Sequence, residues 1–204
     1  MPTAVKICGI TRAEDALVAV ECGAAAVGFN FWPGSPRSCD VTVVAGIIAA
    51  LPDAVCKVGV FVDESPRRIN GIAREAGLSA VQLHGNESPR DCAACALPVI
   101  KAIVVDGPVD AARLAGYDVA AFLFDSSSRL RGGSGVTFDW DHLTRLDVAV
   151  PVVLAGGLTP ANVAAAITAV RPAAVDVSSG VESSPGIKDH GAIAAFIAAA
   201  QGAV

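Results

Sequence analysis

The sequence predicts an α/β protein whose strands close into a (β/α)8 barrel. Three observations lead there. Short runs rich in β-branched residues recur eight times in 204 residues, segments with helical apolar spacing separate them, and no G-x-G-x-x-G follows the first run. Alternation of strand and helix implies a parallel sheet, because parallel neighbours need a crossover connection. Each unit takes about 25 residues, the size of one βα step. An open, doubly wound sheet shares that alternation, but eight runs with no sign of an edge strand favour closure. No linker or shift in composition interrupts the repeat, so residues 1–204 read as a single barrel domain.

In chain order the strand runs are AVKICGI (4–10), AAVGFNF (25–31), CKVGVFV (56–62), AVQLH (80–84), VIKAIVV (99–105), AAFLFD (120–125), PVVLAGG (151–157) and AAVDVSS (173–179). Helical spacing appears in 11–23, 41–52, 65–77, 159–170 and 189–201. Thr11 and Thr159 are the expected N-caps, Pro160 the first helical residue of its segment, and Gly23 and Gly77 the stops after a last turn.

Composition narrows the function. The formal charge is -5 with scattered Lys and Arg, so no electrostatic footprint for nucleic acid is present. No apolar run approaches the roughly 20 residues that span a bilayer, and the N-terminus does not read as a secretory signal; no membrane partner and a cytoplasmic location are expected. Six cysteines are expected to be reduced there. Cys92 and Cys95 form a C-x-x-C, but the Ala-rich surroundings read as mid-helix packing rather than a redox pair, which needs a helix N-terminus.

Barrel enzymes work at the C-terminal ends of their strands. Those ends carry Cys8, Asn30, Asp63, His84, Asp106, Asp125, Gly156 with Gly157, and Ser178 to Gly180. Asp63 and Asp106 lead into proline-bearing turns and read as turn residues. Asp125 ends a very apolar run, where burial is expected to raise its pKa. The small residues after the seventh and eighth strands let backbone N–H groups converge on a phosphate. Lys6 and Cys8 share one face of the first strand, and only the lumen tolerates both; the expected partner of Lys6 is Asp176, because the first and eighth strands touch on closure. Lys6 is also expected to favour the Cys8 thiolate.

Two long loops stand out, 30–40 and 126–137, the latter with Gly132, Gly133 and Gly135 as lid hinges. Arg37 in the first offers a planar fork for a carboxylate or phosphate, or is a solvated surface residue. His84 is placed to bind substrate or a loop carbonyl, while His142 and His190 read as solvated. No His and carboxylate spacing suggests a metal.

The stretches KICGIT, GFNFWPGSPR, VGVFV, VQLHG, LFDS, GGSGVTFDW, LAGGLTPANV and DVSSGVESSPGIKD resemble the phosphoribosylanthranilate isomerase family of tryptophan biosynthesis, in order and over nearly the whole chain. The resemblance implies a (β/α)8 barrel that turns a phosphoribosyl substrate, an aminoaldose, into an aminoketose by an Amadori rearrangement without cofactor or metal. It implies Cys8 as general base, Asp125 as general acid, and Arg37 as clamp on the anthranilate carboxylate. Gly156, Gly157, Ser179 and Gly180 would hold phosphate, with Lys6, His84 and the lid residue Gly133 on the substrate. Ser134 stands where the family commonly has threonine. A stand-alone chain, monomer or homodimer, is expected. Three alternatives stay open: a histidine-pathway isomerase using two aspartates, a magnesium-dependent synthase releasing pyrophosphate, and a non-catalytic phosphoribosyl-binding protein.

Overall fold

The computed structural model describes residues 3–126, 139–144 and 146–203. Eight parallel strands form a closed barrel: β1 (Ala4–Cys8), β2 (Ala26–Asn30), β3 (Cys56–Phe61), β4 (Ala80–Leu83), β5 (Val99–Val105), β6 (Ala121–Ser126), β7 (Val152–Leu154) and β8 (Ala174–Val177). All eight predicted runs are strands. The seam pairs β1 with β8, setting Lys6 opposite Asp176 and Ile7 opposite Val177.

Six α-helices follow: α1 (Ala13–Glu21), α2 (Val41–Ala49), α3 (Pro66–Ala76), α4 (Pro89–Ala93), α5 (Val163–Val170) and α6 (His190–Gln201). Their signals are local. Asp40 caps α2 through the Thr42 N–H, Ser88 and Asp91 form a capping box on α4, and Gly77 closes α3 at a left-handed φ of 76°. Among the described residues, only short 3-10 turns, Ala111–Arg113 and Trp140–His142, stand where helices after β5 and β6 would be.

Two predicted starts shift. Arg12, not Thr11, is the cap residue of α1, and the Thr11 hydroxyl instead donates to the Gly186 carbonyl. Helix α5 begins at Val163, three residues past Pro160. Asn162 explains the delay: its Oδ1 accepts from the Thr159 N–H (2.7 Å) while its Nδ2 donates to the Gly157 carbonyl (3.0 Å), folding 157–162 into a turn. An unpredicted hairpin, β9 (Glu182–Ser184) with β10 (Ile187–Lys188), follows β8.

Apolar side chains fill two regions. The larger lies between barrel and helices; the smaller, in the lumen, is built from Ala102, Ala121, Leu123, Val153 and Ala155. These lumen residues come from β5, β6, β7 and the residue after β7, whereas β1, β4 and β8 contribute buried Lys6, Gln82 and Asp176. The apolar lumen cluster thus lies on the β5–β7 side, while Asp125 at the end of β6 joins the polar groups at the cavity. The C-x-x-C is not mid-helix: α4 ends at Ala93, leaving Cys95 beyond it with its Sγ 3.5 Å from the Asp91 carbonyl. Cys92 packs in the core, and burial pushes its thiol up to about 11.

Candidate active site

A cavity of about 120 Å³ opens at the C-terminal ends of the strands. Its lining includes Cys8, Arg37, His84, Asp125, Gly156, Gly157, Ser179 and Gly180, so eight of the predicted site residues meet in one place. Asn30 and Ser178 line it as well. Lys6 lies behind Cys8, while Gly133 and the rest of the 127–138 stretch fall outside the described residues. Asp63 holds a turn, as expected: at φ 51° its Oδ1 accepts from the Asn86 N–H, and its own N–H reaches Glu87.

Lys6 is almost fully buried, and its ammonium lies 2.8 Å from Asp176 Oδ1, the predicted partner. Burial alone would pull the lysine down, but the charge and hydrogen bond of Asp176, with help from Cys8, carry it above its ordinary value. Lys6 does favour the Cys8 thiolate, as expected, but does not prevail. Burial pushes the thiol up, the Asp176 charge adds to that, and Lys6 offsets only part. Because the lysine's charge is already matched by an aspartate, the thiol meets an ion pair rather than a lone cation.

Glycine sets the approach of these groups. Cys8 and Gly28 are ladder partners on β1 and β2, and a Cβ on Gly28 would lie 2.8 Å from Cys8 Sγ and 3.1 Å from Lys6 Nζ. A Cβ on Gly156, at φ 84°, would lie 2.5 Å from the Ser126 nitrogen and 3.0 Å from Asp125 Oδ1. On Gly180 it would strike the Leu158 carbonyl oxygen, which joins the loops after β7 and β8.

Asp125 is buried but not set in hydrocarbon alone, contrary to its apolar approach sequence. Strand alternation sends Phe122 and Phe124 toward the outer core and the carboxylate into the lumen. There its Oδ1 accepts from the Ser126 N–H (2.8 Å), and Oδ2 lies 3.2 Å from His84 Nε2. That contact is out of line for a hydrogen bond, so His84 Nε2 is among the buried polar atoms with no bonded partner among the described residues. His84 Nδ1 takes the Gln82 side-chain amide at 2.8 Å, while Gln82 Oε1 is unpaired. Gln82 was missed, although its position two before His84 puts it on the same strand face.

Arg37 is not a solvated surface residue. Its Nε and Nη2 make a fork with both oxygens of Glu182, at 2.8 and 2.7 Å, and the same carboxylate takes Lys188 Nζ at 2.8 Å. Two cations less one carboxylate leaves one positive charge in excess here. Burial by itself would raise Glu182, yet Arg37 and Lys188 bring it below its usual range; burial pulls Lys188 down. Gly9, at φ 73°, gives Arg37 room, since a Cβ there would lie 2.6 Å from Arg37 Cδ. Glu182 and Lys188 stand on the hairpin the strand pattern did not reveal. His190, expected to be solvated, is half exposed with Nε2 2.9 Å from the fully buried Asp15; His142 sits in a 3-10 turn. Among the described residues no group of three or more His, Cys, Asp or Glu is placed to hold a metal ion.

Residues 5–199 match the family model of N-(5'-phosphoribosyl)anthranilate (PRA) isomerase. The chain belongs to this family. It shares 48% identity over 206 residues with the N-(5'-phosphoribosyl)anthranilate isomerase of Myxococcus xanthus, covering 98% of this chain and 97% of that one. A crystal structure of phosphoribosyl anthranilate isomerase with reduced 1-(o-carboxyphenylamino)-1-deoxyribulose 5-phosphate superposes with a TM-score of 0.86 at 45% identity, covering 98% of this chain and 99% of that one. Monomers generated from the dimeric enzyme of Thermotoga maritima give a TM-score of 0.86 at 44% identity, with the same coverage. The activity is accordingly that of a phosphoribosylanthranilate isomerase of tryptophan biosynthesis. Within this family's barrel, the two ionisable candidates for proton transfer, Cys8 and Asp125, face one cavity from β1 and β6.

Proposed function

We propose that the isomerisation is an Amadori rearrangement in which Asp125 is the general acid and Cys8 the general base. One observation carries this: a thiol and a carboxyl from strands far apart in sequence line the same small cavity. Asp125 gives its proton to the furanose oxygen as the C1'–O bond breaks, and the nitrogen lone pair forms the C1'=N bond. The Cys8 thiolate then removes the C2' proton; that electron pair forms C1'=C2' and neutralises the nitrogen, giving an enolamine. The Asp125 carboxylate then takes the enol hydroxyl proton and the Cys8 thiol gives its proton to C1', yielding the ketone and returning both groups to their starting states.

The raised thiol pKa suits a base that ionises only when needed, because the iminium cation forming over the cavity favours the thiolate. Gly156, Gly157, Ser179 and Gly180 supply backbone N–H groups for the phosphoryl end. Arg37 keeps Nη1 for the anthranilate carboxylate, its other two nitrogens being spent on Glu182. A cytoplasmic place of work, and a homodimer like the Thermotoga relative's or a monomer, complete the reading.

The test follows loss of anthranilate-type fluorescence on freshly made phosphoribosylanthranilate, with EDTA present. Cys8→Ser and Asp125→Asn should each lower kcat by at least about 100-fold while KM stays roughly intact. Near-normal turnover in either variant removes that residue from the mechanism.

A further inference from the structure

We propose that Trp32 makes the cavity selective for an aryl-bearing substrate: its indole is the wall on which the substrate's anthranilate ring lies. The proposal rests on the isomerase reading above and adds to it the residue that recognises the aromatic half. A phosphoribosyl end and a carboxylate are met by backbone N–H groups and a guanidinium, but a six-membered ring needs an apolar face. Among the described residues lining the cavity, Trp32 alone carries a phenyl or indole ring.

The loop after β2 builds this wall. Trp32 is anchored where it leaves the strand, its backbone N–H donating to Asn30 Oδ1 at 2.8 Å. A turn then returns the chain, the Ser35 N–H reaching the Trp32 carbonyl at 3.0 Å. Gly34 lies inside that turn, and a Cβ on it would come within 2.5, 2.7 and 2.8 Å of indole Cζ2, Cε2 and Cη2. The glycine therefore lets the benzo edge of the indole rest against the loop backbone. Trp32 remains only half buried, which leaves apolar ring surface for a ligand to cover.

Arg37, five residues further along the same loop, lines the cavity with its fork fixed by Glu182. A flat apolar surface and a fixed cation on one short loop match a planar ring with a carboxylate at its edge. The pairing also explains why the loop is long: it must deliver an aromatic wall and a guanidinium to one mouth from a single strand end.

The experiment separates the aromatic half of the substrate from the sugar phosphate half. Steady-state constants are measured on phosphoribosylanthranilate for wild type, Trp32→Ala, Trp32→Leu and Trp32→Phe, together with the inhibition constant of ribulose 5-phosphate, which lacks the ring. Trp32→Ala should raise KM by about 10- to 100-fold with kcat changed by less than about 3-fold, and Trp32→Phe should restore most of the loss where Trp32→Leu does not. The inhibition constant should stay level throughout. An unchanged KM in Trp32→Ala, a parallel rise in both constants, or equal rescue by Phe and Leu overturns the proposal. If wild type fails to turn over the substrate, the isomerase reading falls first. Equilibrium dialysis of N-methylanthranilate then decides about Trp32: binding lost in Trp32→Ala keeps the aromatic wall, and equal binding removes it.

Discussion

Lys6 Nζ and Asp176 Oδ1 meet at 2.8 Å across the seam where β1 and β8 close the barrel, on residues the ladder sets directly opposite each other. The two act on Cys8 with opposite sign: the aspartate raises the thiol pKa and the lysine lowers it. Removing the carboxylate charge with Asp176→Asn should therefore speed alkylation of Cys8 by iodoacetamide at a fixed neutral pH, and Lys6→Met should slow it. Mass spectrometry of the peptide carrying Cys8 reads the rates. Shifts in the same direction for both variants would mean that charge is not what tunes the thiol.

The pH profile of kcat/KM follows from the same burial. A free thiol is half ionised near about pH 8.5, and Cys8 is pushed above its ordinary value. The active thiolate fraction in the free enzyme should thus still be climbing beyond that pH. Lys188, pulled below its usual value by burial, loses its charge at the alkaline end and limits the rise as its grip on Glu182 weakens. A profile already flat below about pH 8 would contradict a buried thiol as the base.

Gly28 tests how closely Sγ must be placed. An added methyl would sit 2.8 Å from Cys8 Sγ and 3.2 Å from its Cα, which is backbone and cannot simply swing away. Gly28→Ala should lower kcat by about 100-fold through displacement of the thiol, with about 1–3 kcal/mol of lost stability from overpacking. Kinetics and a urea titration measure the two effects. Full activity would show that the thiol tolerates the shift.

The barrel was legible because each strand run obeys a pattern local to five or six residues, and closure of eight such runs then places Lys6 against Asp176 without further information. Cys8, His84 and Asp125 were legible for the same reason: each is a polar residue at a strand's C-terminal end. What was hidden depends on distant partners or on very short elements. Arg37 and Glu182 are 145 positions apart, and Glu182 and Lys188 belong to strands of three and two residues, too short for any period to show. The start of α5 was misread because Asn162 spends its side chain on Thr159 and Gly157, a tertiary use that the favourable Thr-Pro pair conceals. Lys6 lowers the Cys8 pKa as its spacing suggests, but burial, the larger cause, and the Asp176 charge outweigh it, and spacing along a strand does not report their sizes.

Glu182 carries the heaviest electrostatic duty at the site's rim, one buried carboxylate between Arg37 and Lys188. Glu182→Gln preserves shape but leaves two cations facing each other without an anion, and Lys188 has no exposed side-chain surface through which water could screen it. Loss of about 3–5 kcal/mol is expected, the cost of stripping a partner from buried charge. Arg37, no longer held at both oxygens, should also raise KM by about 10-fold while kcat moves little. The carboxyl titrates below its ordinary 4.5, so in wild type its stabilising effect is present at neutral pH and is lost as pH falls through that depressed value. In Glu182→Gln that acid-range loss should disappear from the stability profile. Adding Lys188→Met removes the stranded buried ammonium and should recover part of the lost stability without restoring KM, because Arg37 would still lack its carboxylate. If urea titration finds Glu182→Gln as stable as wild type, the cluster is not held by charge.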